Sequence, residues 1–503
     1  MKAPDIFYIR TISPIHVGCD EVYEPTGFTI DENECRMVVF DPFVFVSQLS
    51  DDEKQVFSEL CAKGTVASIL EIYKFLAGKT VQGRSISLCR GVLEHYKQTL
   101  GVPMNNENKI RNELNSFVIP RTAFRSIDQR PYIPGSAIKG ALRTAYLNLK
   151  EAEKQLSQRG TERDAKRLEQ RLMEYEGIPS DPFRMVKVSD FNPIGEAKTR
   201  IVYAINQKKK PTDRDARGIP LIFEIIEPGT LFQGTIAVEA PQKGADIRAP
   251  VTLAEILKSA ATFYEKEMQR EKGELCEMGL SAETEEYLPK EGGAPVRIGR
   301  HSGAESVTIE GHRDILIMGG RGRRSFKDHA TTVWLASESR KPNAMNARQP
   351  FGWAQLAEMT DDTRGKELQN MEREWQIKRE EIISKERKEL DRQAELARQA
   401  EEEAKRQALE EEAKQKEEAR KIAELEAMSP EERDLLILND PTIDERQVFD
   451  IFGRIDEFSD KNKTRAATAI KAYWEMQGRW NKKDCSKKQW TKVQKIKGII
   501  DEA

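Results

Sequence analysis

Two histidine neighbourhoods and one turn hold the side chains able to do chemistry in this sequence. His16 stands in SPIHVG, after the strand-like IFYIRT (Ile6–Thr11) and two residues before Gly18. An endonuclease can place a general base there, and Asp20 and Glu21 follow closely enough for metal-free acid–base cleavage. No second catalytic group of the expected kind stands beside it, so His16 is read as packing or hydrogen-bonding in a loop beside a polynucleotide. His301 lies in RIGRHSGAE, ahead of Glu305, Glu310 and His312. Their spacing fits no zinc template, and no metal is expected. His301 is read instead as stacking on a base or bonding a ribose. Gly299, Gly303, Gly319, Gly320 and Gly322 let a backbone approach a ligand. Arg300, Arg321, Arg323 and Arg324 supply counter-charge for phosphates. A plain Gly-rich surface loop explains the glycines but not their interleaving with four arginines.

The turn is Tyr132–Arg143, YIPGSAIKGALR. Ile133 suits a strand, Pro134-Gly135 breaks it, and Ser136 is a good N-cap for a helix. Ile138, Leu142, Ala145 and Leu149 make one face apolar. Lys139 and Arg143 share another. Helix N–H groups and a cation aimed at one place suit a phosphate. Gly140 costs about 1 kcal/mol inside a helix, which makes sense if a strand or a nucleic-acid backbone packs there. Gly135 and Gly140 have the GxxxxG spacing, but Ala141 stands where a nucleotide P-loop needs Lys. The turn therefore suits a polymer backbone better than a triphosphate. The alternative is a capped helix with two solvated cations.

Strands are predicted at Ile6–Thr11, Phe28–Ile30, Met37–Phe40, Phe117–Ile119, Met185–Val188, Arg200–Ile205, Leu221–Ile226, Thr235–Val238 and Thr332–Ala336. Helices are predicted from Pro42 to about Leu100, after Ser136, through the charged stretch Lys150–Glu176, and at Leu253–Lys272. A lysine triplet, Lys208–Lys210, sits in a loop that either touches phosphates or only solubilises. The formal net charge of −3 argues against a global affinity for nucleic acid, but it averages uneven segments. Six scattered cysteines form no CxxC pair, which fits a reducing cytoplasm and neither a zinc knuckle nor a disulfide framework. No signal peptide or membrane span is expected.

PGSAIKGALR resembles the signature of the RAMP superfamily of CRISPR-associated RNA-binding proteins. SPIHVG (Ser13–Gly18), RIGRHSGAE (Arg297–Glu305) and FGWAQL (Phe351–Leu356) extend the resemblance over roughly residues 1–357. Within the superfamily they resemble the subunit at the guide-RNA (crRNA) 3′ end of type III-A (Csm) effector complexes. The resemblance implies an α+β fold, a ferredoxin-like (RRM-like) RAMP module with helical insertions. It implies a non-catalytic crRNA-binding subunit that caps the backbone filament and supports crRNA maturation and target-RNA binding in antiviral defence. The implied partners are crRNA, target RNA and the other complex subunits, especially the repeated backbone RAMP subunit, with no cofactor and no membrane. The RNA-binding set is His16, Gly18, Gly135, Ser136, Lys139, Arg143, Arg300, His301, Gly303, Gly320, Arg321 and Arg323. The competing reading is a metal-independent endoribonuclease that processes CRISPR RNA through His16 or His301.

The composition changes beyond this module. Residues 358–427 are read as a charged helical spacer held by i,i+4 pairs, because the few apolar a and d positions make a thin seam for the alternative, a coiled coil. About 65 helical residues would span about 100 Å. Residues 428–503 are read as a small basic all-α domain opened by Ser429-Pro430. Between Lys461 and Lys497, twelve Lys or Arg face two acids, enough to attract nucleic acid or an acidic partner. Trp474, Trp480 and Trp490 are read as core. The helix and basic domain together also suit a scaffold that recruits another protein.

Overall fold

The computed structural model describes residues 5–79, 81–156, 165–210, 216, 218–280, 293–318, 322–341, 347–359 and 362–502. It mixes strands and helices, as an α+β fold should, and divides into two compact units, Met1–Lys388 and Glu389–Ala503.

The first unit is organised by two sheets. In one, the strand Asp5–Thr11 is central, antiparallel to Leu231–Val238 on one edge and to Trp353–Glu358 on the other. Ala294–Arg297 extends the sheet beyond Trp353–Glu358, while Val186–Val188 and Asn192–Ile194 pair with Leu231–Val238. Phe7 and Ile9 are buried because neighbouring strands cover both edges and helices cover a face. The helices Gly135–Lys154 and Leu253–Glu277 supply Ile138, Leu142, Ala145, Ile256, Ala260 and Tyr264 to that core.

The second sheet runs Arg348–Pro350, Thr332–Ser337, Thr199–Lys208, Arg84–Leu88, Arg36–Val39 and Phe28–Asp31, with Leu221–Ile226 also paired to Thr199–Lys208. Arg84–Leu88 is parallel to Thr199–Lys208, and the other pairings are antiparallel. The helices Val66–Leu76 and Arg90–Leu100 bring Tyr73, Val92 and Tyr96 onto this sheet. The strands expected at Phe28–Ile30 and Met37–Phe40 pair as a hairpin with Phe28 opposite Val39. The strand expected at Phe117–Ile119 begins later, at Pro120–Thr122, and pairs with Gly18–Val22. Phe117 and Ile119 are core residues, so their apolar character marks burial rather than sheet pairing.

The helix Asp362–Ala427 is one uninterrupted run. Leu396, Leu409 and Ile422 on it are exposed, and ion pairs such as Glu412–Lys416 and Glu417–Lys421 stand at i,i+4 spacing. In the second unit, Pro430–Leu438, Glu445–Arg454, Asp460–Met476 and Lys487–Asp501 enclose Leu435, Val448, Ile451, Ile470, Trp474, Val493 and Ile496. Ser429 caps its helix in a reciprocal box with Glu432, and Trp480 and Trp490 pack partly buried at the margin of that core.

Candidate functional site

The four sequence stretches converge. The carbonyl of His16 accepts the Arg300 N–H at 2.8 Å, and the carbonyl of Pro14 accepts the Gly352 N–H at 2.9 Å. Ile298 donates its N–H to the Gly352 carbonyl at 2.9 Å, and Trp353 donates to Ser13 Oγ at 2.9 Å. Ala123 links the Tyr132 turn to the same loop, donating to the Val17 carbonyl at 2.7 Å and accepting from Tyr132 at 3.0 Å. Gly299 is essential to this junction. Its φ is +84°, and a Cβ there would lie 2.5 Å from the His16 carbonyl oxygen.

His16 is fully buried inside the junction. Its Nδ1 donates to the Glu224 carbonyl at 2.7 Å, and its ring centroid lies 4.5 Å from that of Phe223. Burial is the largest influence on the imidazole and holds its pKa below the ordinary histidine value. Nε2 is left as the acceptor nitrogen, enclosed and without a hydrogen-bond partner among the described residues. His301, at φ +65°, packs on the same Phe223 at 5.3 Å and stacks on Trp334 at 4.5 Å, with Phe351 at 5.5 Å. Burial, then the Arg300 charge, lowers its pKa to about 4. Both imidazoles are thus neutral members of a ring cluster joining the two sheets. His16 is wholly enclosed, whereas His301 is only partly buried, with its Nε2 enclosed.

The Tyr132 turn differs from its sequence reading in one respect. The helix begins at Gly135 with Pro134 at the N-cap, and Ser136 is an exposed first-turn residue rather than the cap. Asp190, 55 residues away, takes the capping role, its Oδ1 accepting the Gly135 N–H at 2.8 Å. Gly135 lies hard against the chain beyond Val186–Val188, where a Cβ would meet the Val188 carbonyl oxygen at 2.5 Å. Both cations fold back onto the protein. Lys139 Nζ donates to the Val186 carbonyl at 2.8 Å, and burial followed by Lys187 lowers its pKa. Arg143 is held by Glu169 at 2.9 Å and Asp181 at 3.0 Å, with its guanidinium 5.3 Å from the Phe183 ring. Gly140 is exposed, and nothing lies within 4 Å of where its Cβ would be. Among the described residues, no strand packs there.

Gly18, Arg300 and Arg323 are exposed, Arg300 lying 5.3 Å from the Phe223 ring. Gly303 turns the second loop at φ +79° beside Arg297. Gly319, Gly320 and Arg321 lie outside the described residues, as do 211–215 and 217 of the loop after the lysine triplet. Within that triplet Lys209 is buried, bonded to Glu305 at 2.7 Å and Glu274 at 2.9 Å. The four side chains weighed as metal ligands are not brought together. Glu305 serves Lys209, Glu310 pairs with Lys266 at 2.6 Å, His312 lies 3.0 Å from Glu151, and His301 is in the ring cluster.

Sequence reasoning missed a buried charge network under the junction. Arg297 donates to Glu271 at 2.7 Å and to the Phe351 carbonyl at 3.0 Å, 4.8 Å from the Trp353 ring. Trp353 Nε1 donates to the other Glu271 oxygen at 2.7 Å. Glu267 pairs with Arg270 at 2.9 Å and Arg313 at 2.7 Å. Lys209 and Arg270 hold the Glu305 carboxyl down to about 2 against the opposing effect of burial. The available signal was the placement of Glu267 and Glu271 on the inward stripe of Leu253–Glu277.

The fold and converging loops define a RAMP protein. The RAMP superfamily model matches residues 8–289, more than half of the chain, and the chain belongs to that superfamily. It is similar, more particularly, to the CRISPR system protein Csm5 of Methanocaldococcus jannaschii, with 30% identity over 239 residues. That match covers 45% of this chain and 51% of the relative, so the chain spans about half the length of the curated relative it matches. A chain in the cryo-EM structure of a type III-A Csm–crRNA–target RNA ternary complex aligns at 19% identity and TM-score 0.49, covering 70% of this chain and 100% of its own. The crystal structure of T. onnurineus Csm5 aligns at 16% identity and TM-score 0.40, covering 69% and 99%. No helix among the described residues is long and apolar enough to cross a membrane.

Proposed function

We propose that this chain is a non-catalytic crRNA-binding subunit of a type III-A Csm complex. In this reading it caps the backbone filament at the crRNA 3′ end and supports crRNA maturation and target-RNA binding. Its partners are crRNA, target RNA and the other complex subunits, above all the repeated backbone RAMP subunit, in the cytoplasm. The first unit is read as a ferredoxin-like (RRM-like) RAMP module with helical insertions. The observation that carries the proposal is the convergence of Ser13–Gly18, Arg297–Glu305, Phe351–Leu356 and, through Ala123, the Tyr132 turn. RNA backbone would meet Gly18, Ser136, Arg300 and Arg323, which are exposed, and would approach closely over Gly140. Lys139 and Arg143 would join by exchanging a protein acceptor for a phosphate. Gly320 and Arg321 belong to the same proposed surface. His16, Gly135, His301 and Gly303 would shape the loops. The enclosed position of His16 supports a structural rather than a general-base role.

The test is affinity purification of the tagged protein from its native host, with sequencing of the bound RNA. Spacer–repeat guides together with other type III subunits are expected. Recovery of neither would overturn the proposal, and cleavage of labelled RNA by the wild type but not by His16→Ala would establish the endoribonuclease instead.

A further inference from the structure

The second unit separates its charge. Over residues 428–460, ten Asp or Glu stand against three Lys or Arg; over 461–497, two stand against twelve. Many acids of the first half are occupied. Glu432 and Asp444 cap helices, Asp434 holds Arg454 at 2.8 Å, Asp456 takes Lys495 at 2.5 Å, and Glu445 takes Arg479. Four bases of the second half are not. Lys482, Lys483, Lys487 and Lys488 are all exposed within seven residues, and none of their ammonium groups meets a carboxylate among the described residues. Lys487 and Lys488 also open the helix Lys487–Asp501, whose first turn carries no acid. Cations are disfavoured there by the helix dipole, so folding alone does not call for them.

The aromatic residues nearby are already covered. Trp474 is core. Lys492 Nζ sits 3.6 Å from the Phe449 ring centre, and Lys497 Nζ lies 5.3 Å from Trp480 and 5.2 Å from Trp490. Cations that cover these rings leave little face for an incoming base. The exposed large apolar side chains of the described residues 428–502 are Leu436 and Met476, too few for the apolar centre of a protein interface. Flexible, unpaired point charges suit evenly spaced, mobile phosphates.

We propose that Lys482–Lys488 is a second nucleic-acid site, separate from the RAMP loops, that binds the phosphodiester backbone without reading bases. The full-length protein and the K482Q/K483Q/K487Q/K488Q variant are compared by fluorescence anisotropy across 50–200 mM salt. The probes are a labelled single-stranded RNA of about 30 nucleotides lacking guide repeats and a duplex DNA of similar length. Because the four side chains are exposed, circular dichroism and melting should be unchanged. The variant should bind both probes about tenfold or more weakly, and its log–log salt slope should be shallower by about 3 for RNA and 3–4 for duplex. Unchanged affinity and slope with both probes would overturn the site. Binding of RNA but no binding of duplex by the wild type would replace backbone recognition with base contact. Preferential binding of a polyglutamate peptide, lost in the variant, would assign the patch to an acidic polypeptide instead. Guide recovery from the host depends on the RAMP surface, so its failure reads separately from the failure of this site.

Discussion

Arg130 and Glu372, 242 residues apart in sequence, face each other through two 3.0 Å hydrogen bonds, from Nη1 to Oε2 and from Nη2 to Oε1. The Gly195 N–H donates to the same carboxylate at 2.8 Å, and the Arg130 guanidinium lies 3.7 Å from the Trp375 ring centre. The opening turns of the long helix are therefore fastened to the RAMP sheet-and-helix body by a pair whose arginine is buried and whose carboxylate is partly exposed. Glu372→Ala should cost about 2 kcal/mol, because it leaves Arg130 buried beside fewer acceptors. The expected signature is faster amide exchange over residues 366–380. Replacing both partners, Arg130→Met with Glu372→Leu, should lose less stability than Glu372→Ala alone. A double variant as unstable as the single one would show that the pair is not what fastens the helix.

The ring cluster makes the junction sensitive to acid. An unfolded histidine titrates near 6.5, whereas His301 in the fold is held down to about 4. The unfolded chain therefore takes up the proton first as pH falls. The stability that neutral His301 confers is complete above about pH 6.5 and is lost progressively toward pH 4, by on the order of 2 kcal/mol after allowing for partial exposure. Denaturant midpoints at pH 7.5 and 4.5 measure this loss. His301→Asn, which tolerates the positive φ and does not titrate, should reduce the difference between the two midpoints, and an unchanged difference would assign the acid sensitivity elsewhere.

Gly140 and Gly299 should respond to alanine in opposite ways. Gly140→Ala fills open space on a helix and should raise stability by about 1 kcal/mol. If RNA backbone lies over this position, the same variant should bind guide RNA more weakly while melting higher. Unaltered affinity would remove Gly140 from the interface. Gly299→Ala meets the His16 carbonyl and requires positive φ, so loss of soluble folded protein or a sharply lower Tm is expected.

The buried Arg297–Glu271 pair supplies a further test. Arg297→Ala should cost about 3–5 kcal/mol, because the Glu271 carboxylate then has no charge partner in the core. Glu271→Gln keeps an acceptor for Trp353 Nε1 and should cost less than Arg297→Ala. A chemical-denaturation comparison of the two variants reads the difference, and equal losses would discount the charge pairing.

Much of the local structure was legible in the sequence. Leu221–Ile226 and Thr332–Ser337 are rich in apolar and β-branched or aromatic residues because both pair with Thr199–Lys208 in the second sheet, and Ser429 announced its own capping box. Relationships set by distant residues were not. Ser136 has the chemistry of an N-cap, but Asp190 arrives from the far side of a helical excursion and takes the first N–H. Lys139 and Arg143 share a face as their spacing requires, yet spacing does not reveal that Val186, Glu169 and Asp181 converge on them. His301 has polar chemistry, but its surroundings are Phe223, Trp334 and Phe351, each far from it or separated by irregular chain. Glu267 and Glu271 lie on the inward stripe of Leu253–Glu277, but spacing does not reveal that Arg313 and Arg297 reach them from other segments.

The position of Asp5–Thr11 between Leu231–Val238 and Trp353–Glu358 sets a schedule for the ribosome. This strand is made long before it is completed, since one neighbour arrives more than 200 residues later and the other after roughly 340. At 5–20 residues per second the nascent chain carries this apolar segment without its final neighbour for roughly 20–70 s. Until Leu231–Val238 is made both strand edges are open to other chains, and the edge awaiting Trp353–Glu358 stays open longer, so the yield of assembled protein depends on what shields this one strand during synthesis.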